Sequence, residues 1–281
     1  MKLLTNAKTV ISNSNMLKSY QKWVFHKMIG SEPKINIPYG GSVGHLRHFT
    51  EFWSVTNNIY KMTLEREQKL IEKFLEPEKI AFDIGANVGV FSCMMSYTYP
   101  EASIYSFEPV TSTFEILQSN IKDNKLDNVV CENIALSNQS GSFNFIANEH
   151  NPSQNKLSPA NQTANNTLSV PTITLDSYCD QKNITELSFV KIDVEGAELL
   201  VLEGAKNMLQ SKKIAALLIE VIPHAITDMG LNMNKLFDFI ENVGYECRQV
   251  TDDGNIGSKI DMATAQDFKL ENVLLVPQFS N

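Results

Sequence analysis

Hydrophobic and polar positions follow two alternating patterns along most of the chain. Short apolar runs, which are typical of buried strands, are separated by segments whose apolar residues recur with the helical period. The runs lie at 79–82, 103–107, 129–134, 189–192 and 215–220, and the helical segments at 64–75, 90–97, 113–124, 196–209 and 234–242. Strands and helices that alternate over short connections predict a mostly parallel sheet with helices on both faces.

The pattern changes in the second half of the chain. Residues 245–250 and 272–276 are two more apolar runs with polar, glycine-containing sequence between them, which predicts a terminal hairpin and one antiparallel strand. Residues 148–167 have no hydrophobic period, so we expect a long loop between short strands at 142–146 and 168–174. We keep two interpretations of this loop, a lid over the substrate and a disordered surface excursion.

The N-terminal region carries a different signal. Residues 15–29 place apolar side chains on one helical face and lysines opposite. This pattern fits a helix packed on the body of the protein, and also a weak contact with an anionic membrane surface. We therefore divide the chain into an N-terminal helical extension, 1–60, and one α/β domain, 61–281, which is long enough to bury its own core.

Charge and cysteine content narrow the class of protein. The net charge is −8, yet residues 1–31 hold five lysines and no acid, so the rest of the chain is strongly acidic and poorly suited to nucleic acid. The four cysteines lie far apart, which gives no disulfide or zinc pattern and favours a reducing compartment. Since no apolar run approaches the roughly 20 residues that cross a bilayer, we expect a cytoplasmic protein.

The segment Phe82-Asp83-Ile84-Gly85-Ala86-Asn87-Val88-Gly89 carries the clearest chemistry. A strand that runs into a glycine turn and a helix is the nucleotide-binding corner of an open α/β sheet. Gly85, Asn87 and Gly89 depart from the dinucleotide pattern G-x-G-x-x-G. A carboxylate at Asp83 repels a pyrophosphate but suits a cation with an amino group, such as S-adenosylmethionine. The segment therefore predicts a site for that cofactor.

Two later strand ends complete the predicted cofactor site. Glu108 ends the second strand, where an acid can accept both hydroxyls of an adenosine ribose; a solvated loop carboxylate is the alternative. The third strand ends around Ala135, where backbone N–H groups can bind the adenine ring.

Acids at the ends of the fourth and fifth strands are candidates for catalysis. Asp193 and Glu195 follow the fourth strand, and Glu220 ends the fifth, so all three should face the same cleft as Asp83. Asp193 is also a candidate for cofactor binding. His224 is a candidate general base, although a surface histidine looks the same in sequence. The three acids also have the oxygen donors that Mg²⁺ or Ca²⁺ prefer, but we favour a site without a metal. Glu198 is expected only to complement a helix dipole or to face solvent.

These segments together resemble the FkbM-type S-adenosylmethionine-dependent methyltransferases over roughly residues 60–277. Beyond the glycine turn, the matching positions are Phe107-Glu108-Pro109, Ala135-Leu136-Ser137, Gly141, Phe143, Thr174-Leu175-Asp176, Lys191 to Glu198, Leu202, Gly204, Ala205, Glu220 and Asn272. The resemblance implies a class I, Rossmann-like fold with a seven-stranded sheet, and O-methylation of a small-molecule or glycan acceptor. It also places Glu65 near a family glutamate that lies close to the cofactor.

Other functions remain open at this point. A methyltransferase that acts on another small-molecule or protein atom would share the same motifs. A nicotinamide-dependent oxidoreductase would share the strand, turn and helix, but it must accommodate phosphates that Asp83 opposes. A module that only binds a cofactor or a glycan could dispense with Asp193 and Glu220. Because the chain lacks a basic face, we expect no nucleic-acid partner.

Overall fold

A computed structural model describes the backbone of residues 35–36, 42–43, 57–146, 156–157, 167–265 and 271–278. The predicted helix at 15–29 and most of the predicted extension 1–60 lie outside the described residues. Two short strands of that region, β1 (Ile35–Asn36) and β2 (Ser42–Val43), pair in antiparallel fashion.

The described part of the α/β domain alternates helices and strands in its first half. In chain order these are α1 (Asn57–Phe74), β3 (Ile80–Ile84), α2 (Val90–Thr98), β4 (Ser103–Phe107), α3 (Thr111–Asp123), β5 (Val129–Glu132), β6 (Ala135–Leu136), β7 (Gly141–Ile146), β8 (Lys156–Leu157) and β9 (Thr167–Ile173).

The second half returns to the same sheet and ends in antiparallel strands. Its elements are α4 (Leu175–Lys182), β10 (Phe189–Ile192), α5 (Glu198–Gly204), α6 (Lys206–Gln210), β11 (Leu217–Val221), α7 (Pro223–Asp228), α8 (Met233–Asn242), β12 (Tyr245–Val250), β13 (Ile256–Ile260), α9 (Met262–Ala265) and β14 (Glu271–Pro277).

The main sheet has the order β13-β12-β14-β11-β10-β3-β4-β5. Strands β5, β4, β3, β10 and β11 are parallel, and β14 lies antiparallel between β11 and β12. The predicted class I, Rossmann-like fold is therefore confirmed: the sheet is mostly parallel, with the antiparallel strand β14 near the C-terminus. Within the described residues it has eight strands instead of the predicted seven. The hairpin strand β13 extends this sheet by an eighth strand at its edge.

Side chains of the central strands alternate between two hydrophobic cores, one on each face of the sheet. In β3, Phe82 and Ile84 join the core covered by α4, α5, α6 and α8, whereas Ala81 joins the core covered by α1, α2 and α3. Strands that are apolar on both faces read as continuous hydrophobic runs, because each face is buried by helices. This is why the sequence predicted β3, β4 and β10 so closely.

Three predicted elements differ most from the structure. The helix predicted at 64–75 begins earlier, at Asn57. The helix predicted at 196–209 is divided at Ala205 into α5 and α6. The loop predicted at 148–167 contains the short strand β8, which pairs with β7 in a second, four-stranded sheet of order β6-β9-β7-β8. Two-residue strands have no period of their own, so pattern alone does not reveal them.

In the part of the chain that the structure describes, no helix is both long and apolar enough to cross a membrane.

Candidate functional site

Polar side chains from neighbouring strands line up at the carboxyl end of the sheet. Strand register places Asp83 beside Ser106 on one side and beside Lys191 on the other. Two residues further along the strands come Glu108, Asp193 and Glu220. Since side chains repeat every two residues on a face, these positions lie on the face covered by α1 and α2. The predicted site residues of four strands are thus brought together by the register of the sheet.

Asp83 is buried and anchored by hydroxyl groups. Its side chain is 2% exposed, and Ser92 Oγ on α2 donates a hydrogen bond of 2.5 Å to Asp83 Oδ2. Ser106 Oγ in turn donates to Ser92 Oγ at 2.7 Å. Burial raises the pKa of Asp83 to about 6, although the bond from Ser92 opposes this shift. The carboxyl group is therefore held rigidly and is sensitive to pH near neutrality.

The loop after β3 is pressed against the loop after β10. Gly85 has φ +81°, and a Cβ atom there would lie 1.9 Å from the carbonyl oxygen of Asp193. The N–H groups of Gly85 and Ala86 donate to the carbonyl oxygen of Phe107, at 3.0 and 2.9 Å. Gly89 has φ +87° and is the N-cap residue of α2. The turn therefore needs glycine both for its backbone shape and for close packing.

Glu108 closes the turn from the next strand. It is 5% exposed and accepts hydrogen bonds from the N–H groups of Asn87, at 3.1 Å, and Val110, at 2.9 Å. Burial raises its pKa to about 7, although these two bonds oppose the shift. The buried Asn87 Oδ1 has no hydrogen-bond partner. The arrangement leaves a carboxyl group and an amide oxygen at the place where the sequence predicted ribose binding.

Ala135 lies in β6 and is buried. It packs in a small apolar cluster with Val110, Val170 and Ala197. Ser137, two residues further along, explains why the matched position 204 is a glycine. A Cβ atom at Gly204 would lie 2.0 Å from the carbonyl oxygen of Ser137. This part of the motif therefore has a packing role, and adenine binding near Ala135 stays a prediction.

Three of the predicted catalytic residues form one cluster. Carboxylate oxygens of Asp193, Glu195 and Glu220 all lie within 4.8 Å of one another. Burial, and after it the charge of Asp193, raise the pKa of Glu220 above its ordinary value, which favours the protonated form of this carboxyl group. The cluster offers oxygen donors that suit Mg²⁺ or Ca²⁺, but neighbouring acids are common without an ion, and we assign no metal to it.

His224 and Glu198 are placed differently from the cluster. His224 is exposed on α7 and is not a member of the group of three acids. Glu198 lies in the first turn of α5, as expected for a residue that complements the helix dipole, but it is buried rather than solvated. Its Oε1 accepts from the N–H of Gly196 at 3.1 Å. Glu198 therefore braces the loop that carries Asp193 and Glu195.

The structure brings Glu67, rather than Glu65, to this face of the sheet. Glu65 is exposed, whereas Glu67 is 5% exposed and accepts a hydrogen bond of 2.6 Å from Asn272 Nδ2 on β14. Burial raises the pKa of Glu67 to about 7, and Lys191 opposes the shift. The signal in the sequence was an acid on the apolar face of α1, three residues after Leu64 and four before Ile71.

Lys191 is a second functional candidate that pattern reasoning did not single out. It interrupts the apolar strand β10, is 5% exposed, and its Nζ lies 3.5 Å from Asp193 Oδ2. A lysine inside a buried strand needs compensating charge, and that requirement was visible in the sequence.

The Thr174-Leu175-Asp176 motif has a structural role. Thr174 Oγ1 accepts from the N–H of Ser177 and so caps α4. The two oxygens of Asp176 accept from the N–H groups of Asn207, at 2.8 Å, and Met208, at 3.0 Å, in the first turn of α6. These bonds satisfy helix N-terminal donors and tie the two helices together.

Comparison with known proteins identifies a matching family and several relatives. The family described as methyltransferase FkbM domain matches residues 83–247. The hexuronic acid methyltransferase AglP of Haloferax volcanii is 29% identical over 177 residues, which are 60% of this chain and 68% of that protein. The 2-O-methyltransferase NoeI of Sinorhizobium fredii is 24% identical over 161 residues, 52% of this chain and 65% of that protein.

The match thus spans about two thirds of the length of each of these two relatives. Among solved structures, precorrin-6y C5,15-methyltransferase from Geobacter metallireducens superposes with a TM-score of 0.43 and 10% identity, covering 78% of this chain and 88% of that chain.

Proposed function

Because the chain belongs to the FkbM methyltransferase family, we propose that it transfers the methyl group of S-adenosylmethionine to a hydroxyl of a sugar, a glycan or a related secondary metabolite. The family match supports the reaction class. Two relatives support the acceptor class, since one is named for hexuronic acid and the other for a 2-O position. The observation that carries the proposal is the buried Asp83 behind the glycine turn, with Glu108 beside it.

The residues present fit this cofactor. Asp83, Glu67 and Glu108 are buried carboxyl groups, which suit a ligand that carries positive charge and hydroxyl groups. In the proposed arrangement Asp83 binds the methionine end, Gly85 and Gly89 permit close approach, and Glu108 with Asn87 binds the ribose. Ala135 lies on the adenine side, and Glu65 stays at the exposed edge of α1.

The proposed chemistry needs a base beside the acceptor. When bound, the cofactor supplies an electrophilic methyl group on a positively charged sulfur. An alcohol is a poor nucleophile, so a carboxylate that accepts its proton assists the attack. We assign this role to a carboxylate oxygen of Asp193, because burial raises the pKa of the neighbouring Glu220 and favours its protonated form. Glu195 would help to orient the acceptor, and the exposed His224 would contact only an acceptor that reaches the solvent side.

Cofactor binding is tested by titration calorimetry with S-adenosylmethionine. The variant Asp83→Asn keeps the size of the side chain and can still accept from Ser92, but it removes the charge. We expect its affinity to fall about 10- to 100-fold, or roughly 1.4–2.8 kcal/mol. Asp180→Asn, at an exposed position of α4, is the matched control and should bind like the wild type. Equal affinity in Asp83→Asn would contradict the assignment of this carboxylate.

Turnover is tested with methyl-labelled S-adenosylmethionine and a panel of hexuronic acids and neutral hexoses, free and as glycosides. Methylation of a hydroxyl gives an ether that resists alkali, whereas methylation of the carboxyl group gives an ester that alkali cleaves. We expect alkali-stable label, and a loss of about 100-fold or more in kcat for Asp193→Asn with cofactor affinity retained. Alkali-labile label would refute O-methylation of a hydroxyl.

A further inference from the structure

Lys191 occupies an unusual position for a cation. It lies in the middle of the sheet, in β10, and strand register sets it directly beside Asp83 of β3. Its side chain is 5% exposed, and its Nζ lies 6.0 Å from the centre of the Phe91 ring on α2. The ammonium group is therefore enclosed between the sheet and the helices that cover this face.

Acidic groups approach this ammonium from two neighbouring strands, from α1 and from the loop after β10. Asp193 Oδ2, from the loop after β10, lies 3.5 Å away. Asp83 from β3, Glu220 from β11 and Glu67 from α1 also attract it. Arg66 is a further cation near Glu67. A buried ammonium is unfavourable unless it is paired, and here four carboxyl groups surround it.

Lys191 and the surrounding acids each stabilise the charged form of the other. Burial by itself lowers the pKa of Lys191, but the four acids outweigh it and raise that pKa above its ordinary value, so the cation persists at any physiological pH. Lys191 in turn lowers the pKa of Glu67, Asp83 and Glu220, against the effect of their burial. The lysine therefore favours the ionised form of the acids in the proposed cofactor site at neutral pH.

We propose that Lys191 is a positioning residue of this site: its buried ammonium holds the Asp193 carboxylate at the sheet edge and keeps the carboxylates beneath the cofactor negatively charged. The inference rests on the proposed function, since it assigns these acids to cofactor binding and proton acceptance. Lys191 itself acts through Asp193, Asp83 and Glu67.

The test follows the affinity for S-adenosylmethionine by calorimetry from pH 5 to pH 9. In the wild type, affinity should fall at acidic pH as Asp83 and Glu67 become protonated. In Lys191→Met, which keeps the apolar stem, the acids lose a nearby positive charge, and the midpoint of this fall should move up by about one pH unit or more. Lys191→Arg retains the charge and should restore the wild-type midpoint.

The matched control is Lys79→Met. Lys79 lies just before β3, but its side chain is 44% exposed, and it pairs with Glu186 at 2.9 Å. Its replacement should leave the midpoint unchanged. A residue with only a packing role would weaken binding equally at every pH, so a Lys191→Met profile that is lower but not displaced would overturn the proposal while leaving the proposed function intact.

Unfolding by urea over the same pH range provides the second measurement. Between pH 5 and pH 9 the free energy of unfolding of Lys191→Met should fall more steeply than that of the wild type. At pH 5 the acids are protonated and need no compensating cation, whereas at higher pH they are ionised and the variant has no ammonium to offset their charge. Loss of folding at every pH would refute the proposal. If the wild type binds no S-adenosylmethionine at any pH, the proposed function fails, and the unfolding series still decides whether Lys191 compensates the acids.

Discussion

Glu65 and Glu67 stand two residues apart in α1 and meet opposite environments. An α-helix turns through about 200° over two residues, so these side chains leave the helix on opposite sides. Glu65 is exposed, and Glu67 lies against the sheet with Asn272, near Lys191 and Asp83. At the scale of the residue, a shift of two positions in an alignment therefore separates a surface acid from a member of the site.

This difference predicts a pH effect on stability. Burial raises the pKa of Glu67 from 4.5 to about 7, so the folded state binds its proton more tightly than the unfolded state. The stabilisation from this group is fully present below pH 4.5 and is lost as pH rises through about 7. Glu67→Gln should therefore reduce the fall in the free energy of unfolding between pH 5 and pH 8, on the order of 2 kcal/mol.

Urea unfolding at several pH values measures this change. Glu65→Gln is the control on the same helix and should keep the wild-type pH dependence. If the two variants have the same pH profile, Glu67 does not titrate as its burial implies.

The turn between β3 and α2 is the element on which the site is built. Its backbone fixes Asp83, Asn87 and the start of α2, and its glycine at position 85 lets the loop after β10 approach. The carbonyl oxygen of Asp193 occupies the space that a side chain would need. The turn that follows Asp83 and the loop that carries Asp193 are therefore packed as one unit.

Gly85→Ala should disrupt this element severely. The added Cβ would lie 1.9 Å from the carbonyl oxygen of Asp193, so one of the two loops must move. We expect a loss of more than about 3 kcal/mol in the free energy of unfolding, together with loss of cofactor binding.

Gly230→Ala isolates the contribution of the backbone. Gly230 has φ +73°, close to the value at Gly85, but no atom lies within 4 Å of the position that a Cβ would take there. Its replacement should cost only about 1–2 kcal/mol, the strain of a left-handed alanine. Equal losses in both variants, measured by urea unfolding, would show that the contact with Asp193 is unimportant.

At the scale of the whole molecule, the first helix of the described α/β domain is tied to its last strand across the site. Asn272 of β14 donates to Glu67 of α1, although the two residues are 205 positions apart in the chain. In the sheet Asn272 is paired with Glu220. The hydrogen bond therefore joins α1, which covers this face of the sheet, to the antiparallel strand β14, which lies beside Glu220 of β11.

A double-mutant cycle tests this link. Glu67→Ala and Asn272→Ala each leave a buried polar partner unsatisfied, so each should destabilise the protein. The double variant should be less destabilised than the sum of the two, with a coupling energy on the order of 1 kcal/mol in urea unfolding. Additive losses would show that the two side chains do not depend on each other.

Local sequence was enough to predict the succession of strands and helices in the parallel core and the candidate site residues at strand ends. Continuous apolar runs, a glycine turn and acids after the runs are local signals, and each depends only on neighbouring residues. For the same reason Asp83, Glu108, Asp193 and Glu220 could be proposed from the sequence alone. Short elements such as β8 and the division at Ala205 gave no such signal.

Which charged groups lie close together depends on the three-dimensional fold. Burial, strand register and helix rotation set the pKa of Glu220, placed Glu67 rather than Glu65 in the site, and enclosed Lys191 among four acids. The contact between Asn272 and Glu67 depends on how the last strand inserts between β11 and β12. Electrostatic interactions depend on distance in space and on access of water, and neither quantity is encoded in the spacing of residues along the chain.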